Sequence, residues 1–193
     1  MQSIDTNIPQ HKPEHLITLF NECFMHTENT RLVLGGGEPV YIPALMTEGA
    51  YRSAPYDRVV FAHGYFASAL HEISHWCIAG KQRRLLLDYG YWYEPDGRGV
   101  ETQAEFAMVE SRPQAIEWVL SKSCDKAFHI SLDNLSLNLS DFTEFKLAIY
   151  QQVQEIRCKG LPPRAAIFQA QLSAFYGVKT HWKELVFNMS ELD

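Results

Sequence analysis

His71, Glu72 and His75 lie in the stretch FASALHEISHWCIAGK, Phe66 to Lys81, and their types and spacing suit a metal ion. Four residues of α-helix turn the chain about 400° and advance it about 6 Å. His71 and His75 therefore stack on one face, and their ring nitrogens can converge to about 2.1 Å from one cation. Glu72 is rotated about 100° from His71, close enough to reach a metal-bound water without itself binding the ion. The composition of the chain gives about 0.025 copies of H-E-x-x-H by chance, so accident is a poor account of the motif. Ala67, Leu70, Ser74, Cys77 and Ile78 give the segment a continuous apolar or small-residue face. Histidines on such a buried helix need partners for their polar nitrogens.

A third ligand must come from elsewhere, and the downstream acids Glu101, Glu105, Glu110 and Glu117 are the candidates. Glu101 and Glu105 share a helix face and read as solvated charges. Glu117 precedes Trp118 and reads as a half-buried structural partner. Glu110 is the choice: it lies 35 residues beyond His75, enough chain for a loop and a returning helix, and it neighbours the apolar Phe106 and Val109. Two histidines and one carboxylate leave coordination positions open, which suits zinc activating water or ferrous iron binding dioxygen. Spacing does not choose between them.

The elements that must position these residues follow from patterning. Residues 1–12 are polar and read as a flexible N-terminus, with 13–193 as a single domain. A helix opens at Pro13, carries Leu16, Leu19, Phe20 and Cys23 on one side, and ends near Glu28 to Asn29. RLVLGGG and PVYIP read as two strands around a glycine turn in which Gly35 to Gly37 are free to adopt positive φ. No Gly-Lys-Ser/Thr follows, so this is no phosphate loop. DRVVFAHG has the run of a buried strand feeding the two-histidine helix. LLLDYGYWYEPDGRG reads as extended structure closed by a turn at PDG, and Glu101 to about Ser121 as helix. SRPQ at Ser111 to Gln114 matches a capping box that starts a new helix or marks a kink at Pro113. AFHISLDNLSLNL from Ala127 alternates like a strand, and Phe142–Arg157 and Pro163–Tyr176 read as amphipathic helices. The expected fold class is α+β: one compact domain, mainly helical, with a small sheet and the H-E-x-x-H helix following a buried strand.

At 193 residues and 46% hydrophobic content the chain can build a core without crosslinks. A net charge of -6 gives no footprint for nucleic-acid phosphates or anionic lipid. The dense basic run KQRR, Lys81 to Arg84, reads as a solvated turn beyond a helix end, with a docking patch as the sharper alternative. Cys23, Cys77, Cys124 and Cys158 are widely spaced and read as reduced, mostly buried thiols. With no secretory signal and no apolar run of roughly 20 residues, a cytoplasmic, non-membrane protein is expected, as a monomer.

Longer words around the motif carry a resemblance. YDRVVFAHGYFASALHEISHWCIAGKQRR, DYGYWYEPDGR and TQAEFAMVESRPQAIEW resemble the bacterial elongation factor P hydroxylase family, with the likeness running from about Pro13 to about Phe168. The resemblance implies an iron-dependent monooxygenase that uses dioxygen to hydroxylate the β-lysylated lysine of elongation factor P, its protein partner. The family's metal pattern falls on His71, His75 and, through VESRPQA, Glu110. Glu72 would orient water or a ligand histidine as the catalytic helper; Tyr91, Trp92 and Tyr93 read first as core aromatics, with the wall against which the modified lysine lies as the sharper alternative. The competing reading is a zinc peptidase with Glu72 as general base; a third is a metal-stabilised binding module without catalysis.

Overall fold

The computed structural model describes residues 9–89, 100–131 and 139–192, with the side chains of 100–107 and 139–141 outside that description. Helices dominate: α1 (Pro13–Phe24), α2 (Phe66–Ile78), α3 (Val100–Ser123), α4 (Leu139–Lys159) and α5 (Pro163–Tyr176) accompany strands β1 (Thr30–Leu34), β2 (Val40–Ile42) and β3 (Asp57–Phe61). This is the expected α+β class, with a sheet of three strands.

β3 lies at the centre of the sheet, parallel to β1 and antiparallel to β2. Arg58, Val59, Val60 and Phe61 are all buried because both faces are covered, which is why the strand reads as an unbroken apolar run. Val59 and Phe61 join the main core with the helices, while Val60 packs with Val40 and Ile42 on the other side. β1 and β2 are therefore both strands, as expected, but they do not pair across the glycines; β3 comes between them. Nor does Gly35 serve a positive φ. A Cβ there would sit 2.6 Å from Val60 Cγ1 and 2.9 Å from the Phe61 carbonyl oxygen, so Gly35 is required by close approach to β3. Gly35→Ala is expected to cost about 1–3 kcal/mol through overpacking, read as a lowered urea midpoint at unchanged slope.

α1 stops at Phe24, earlier than its pattern predicts, and after one further turn Asn29 adopts φ 49° and turns the chain into β1. α3 is the central helix and packs against α2, α4 and α5. Ala115, Ile116, Trp118, Val119 and Leu120 are all buried, so the helix presents no solvent face along this stretch. No second helix starts at the expected capping box: Pro113 lies inside α3 and Ser111 Oγ donates back to the Met108 carbonyl. Gln114 is turned inward to take the Ser131 N–H and donate to the Ser131 carbonyl. That pairing supplies the groups a strand ladder would use, and residues 127–131 are not a strand; the rest of the expected strand up to residue 138 lies outside the described residues.

Two segments frame α2. Before it, His63 and Gly64 adopt positive φ and turn the chain from β3, with Ser68 Oγ accepting the Ala62 N–H. At its far end Arg164 from α5 donates to the Cys77 and Ala79 carbonyls at 3.2 and 2.5 Å, satisfying acceptors that the helix terminus leaves open. The Arg164 guanidinium lies 4.5 Å from the Trp76 ring centroid. The four cysteines are free; Cys77 and Cys124 are buried, Cys23 partly so, and Cys158 is exposed. Among the described residues no helix is long and apolar enough to cross a membrane.

Candidate metal centre

α2 buries Phe66, Ala69, Leu70, Ile73 and Cys77 at helical spacing, which fixes its rotation and turns the flank bearing His71 and His75 toward α3. Glu110 and Glu117 lie seven residues apart on α3, two turns along one face, and both are buried. His71 meets Glu117 while His75 meets Glu110, a reversed order that pairs the two helices antiparallel.

His71 Nε2 and His75 Nε2 are 3.0 Å apart, His75 Nε2 is 3.2 Å from Glu110 Oε2, and His71 Nε2 is 3.8 Å from the same oxygen. Ligand atoms about 2.1 Å from one ion are separated by about 3.0 Å at right angles and about 3.4 Å at the tetrahedral angle. The three observed separations lie around those values, so His71, His75 and Glu110 could hold one ion, and among the described residues they form the group of donor atoms close enough to do so. The ring orientation fits as well. Glu117 Oε2 lies 2.9 Å from His71 Nδ1, and a carboxylate only accepts, so Nδ1 carries the hydrogen and Nε2, on the far side of the ring, is the atom left to meet an ion in place of a proton.

The electrostatics also call for a cation. Burial opposes charge on His71, yet the hydrogen bond and charge of Glu117, with Glu72 and Glu110 nearby, push its pKa up to about 10. Burial acting alone would raise Glu110, but the charge and hydrogen bond of His75, with His71 and Arg83, hold its carboxyl below the usual range. Glu72 is pushed up, by burial first; the two imidazoles oppose that rise and the two neighbouring acids add to it. Three carboxylates thus crowd two imidazoles, an excess of negative charge that a divalent ion would offset.

A small cleft opens beside Glu72 and His75. Val59, Trp76 and Ala79 give it an apolar wall, and Tyr41 lines it with its hydroxyl donating to Asp57. Arg83, Arg84 and Asp88 come from the segment after α2, where Arg83–Leu85 form a short 3-10 turn and Asp88 bridges to Tyr41.

The model of the family described as EpmC, elongation factor P hydroxylase, matches residues 19–186. A curated protein of Haemophilus influenzae, elongation factor P lysine hydroxylase, is 48% identical over 170 residues, covering 88% of this chain and 92% of the relative. The chain belongs to the elongation factor P hydroxylase family. That family is named for hydroxylation rather than peptide hydrolysis.

In this elongation factor P hydroxylase family member, the structure brings together the three residues expected as ligands, with Glu72 beside them on the cleft. Glu117, expected as a half-buried structural partner, is fully buried and bonded to His71. The signal for it was present: histidines one turn apart on one helix match acids two turns apart on its antiparallel neighbour. The side chains of Glu101 and Glu105 lie outside the described residues, as do Tyr91, Trp92 and Tyr93. Arg83 and Arg84 are not a loose solvated run: Arg83 pairs with Asp88 at 2.5 Å and Arg84 with Glu28 at 2.8 Å.

Proposed function

We propose that this protein hydroxylates the β-lysylated lysine of elongation factor P, with ferrous iron held by His71, His75 and Glu110 and dioxygen as cosubstrate. The convergence of two imidazole nitrogens and one buried carboxylate oxygen within 3.8 Å carries the reading. It adds to the family membership and to what the Haemophilus relative is named for.

When bound to such a set with positions left open, iron supplies the activation of dioxygen that insertion into a C–H bond requires. The chain's own residues supply placement. Glu117 fixes the His71 ring and its tautomer, and Ile73 and Leu70 lock the rotation of α2. Burial of Glu110 keeps its charge unscreened by water, so it acts at greater strength than an exposed acid would. Val59, Trp76 and Ala79 offer the apolar surface along which the methylene stem of a long cationic side chain packs. A single-domain protein working on a protein lysine, with a cytoplasmic setting, completes the reading.

The test is direct: incubate the lysylated factor with this protein and ferrous iron in air and weigh the product. A gain of about 16 Da, one oxygen atom, is expected on the factor, and none with His71→Ala. Cleavage of peptides by zinc-loaded protein, without oxygen uptake, would establish the peptidase instead.

A further inference from the structure

The charged residues lining the cleft are nearly all paired. Arg83 is held by Asp88 at 2.5 Å, Arg84 by Glu28 at 2.8 Å, and His75 faces Glu110 at 3.2 Å. Glu72 differs. It is half-buried, it lines the same cleft as His75, and among the described residues its carboxylate has neither a hydrogen bond nor a lysine or arginine partner. An acid kept partly out of water, with only the two neighbouring imidazoles to offset its charge and no hydrogen bond, is left with acceptor capacity that a ligand can fill. The two neighbouring acids, Glu110 and Glu117, are each committed to a histidine.

We propose that Glu72 is a substrate-positioning residue whose carboxylate receives an ammonium group of the lysyl extension. This rests on the hydroxylase reading above and assigns Glu72 to recognition rather than to proton transfer or support of a ligand histidine. Three features fit a cation at that point. Glu72 precedes His75 by three residues on the same helix, so an ammonium held there leaves the adjoining methylenes beside the proposed ion. The apolar wall of Val59, Trp76 and Ala79 takes a hydrocarbon stem. The remaining basic residues of the cleft, Arg83 and Arg84, are already neutralised by their own partners and do not repel the ligand at full strength. Selectivity for an extended lysine over neutral side chains then comes from one charge-assisted hydrogen bond.

The experiment measures binding by calorimetry, without oxygen, to the iron-loaded protein. The probes are the factor carrying the β-lysyl group and the factor carrying an acyl group of the same length without amines. The wild type is expected to bind the amine-bearing factor about tenfold or more tightly than the neutral one. Glu72→Gln is expected to lose most of that preference, and Glu72→Asp to recover part of it, all three with equal iron content. A preference that persists in Glu72→Gln, or that is missing from the wild type, overturns the proposal. So does loss of iron from Glu72→Gln, which would place the residue in support of the ion. Oxygen insertion is scored separately. Its absence from the wild type, alongside Glu72-dependent binding, would overturn the hydroxylase reading and leave the ammonium site standing.

Discussion

Glu110→Ala is expected to lose tightly bound ferrous iron and about 1,000-fold or more of the hydroxylation rate, while the protein stays folded. Among the described residues Glu110 is the anionic donor within reach of both Nε2 atoms, at 3.2 and 3.8 Å, and its removal leaves the two imidazoles without an anionic ligand beside them. The fold survives because the apolar core around α2 and α3 is untouched and the change removes one polar contact, that of Glu110 with His75, a loss of about 1–3 kcal/mol. Elemental analysis for iron and the mass of the factor after reaction provide the readings. Glu110→Asp keeps the charge but falls one methylene short and is expected to lie between the two. An alanine variant that retains stoichiometric iron would remove Glu110 from the ligand set.

Glu117→Ala is expected to weaken iron binding by about 10–100-fold and to slow the reaction with it, without abolishing either. The residue sits behind the centre. Its 2.9 Å bond to His71 Nδ1 holds the ring in one orientation and one tautomer, and its charge makes the far nitrogen a better donor. Without it His71 turns more freely and spends part of its time with the hydrogen on the wrong nitrogen. Glu117→Gln keeps an acceptor oxygen but not the charge, so it separates orientation from basicity. Competition against a chelator of known strength measures the affinity; equal affinity in wild type and Glu117→Ala would reduce Glu117 to a packing role.

The chemistry-bearing helix was legible in the sequence because its information is local. The positions of His71 and His75, the apolar stripe beside them and the preceding buried strand all act within about twenty residues. The closeness of Glu110 to both histidines follows a similar pattern, an acid among apolar neighbours at a distance that permits a returning helix. Glu117 was legible as a structural partner, but its deeper burial and its bond to His71 depend on which side of α2 it meets, and packing decides that. The same holds for the sheet. β1 and β2 each carry a strand pattern, yet their separation by β3 depends on a segment some fifteen residues further along. Ser111 to Gln114 shows the opposite error, a local motif overruled: Gln114 has the chemistry of a cap, but it pairs instead with the backbone of the half-buried Ser131. The cleft had no linear signature at all, since Tyr41, Glu72 and Asp88 come from three separate segments.

Arg164 has a consequence for the whole molecule. It stands nearly ninety positions after the carbonyls it grips, outside the His71, His75 and Glu110 cluster, yet it clamps the end of the helix on which His75 rides. The chain from α5 onward thus braces the candidate metal centre, and damage there is expected to register first as loosened placement of His75 while most of the architecture still stands.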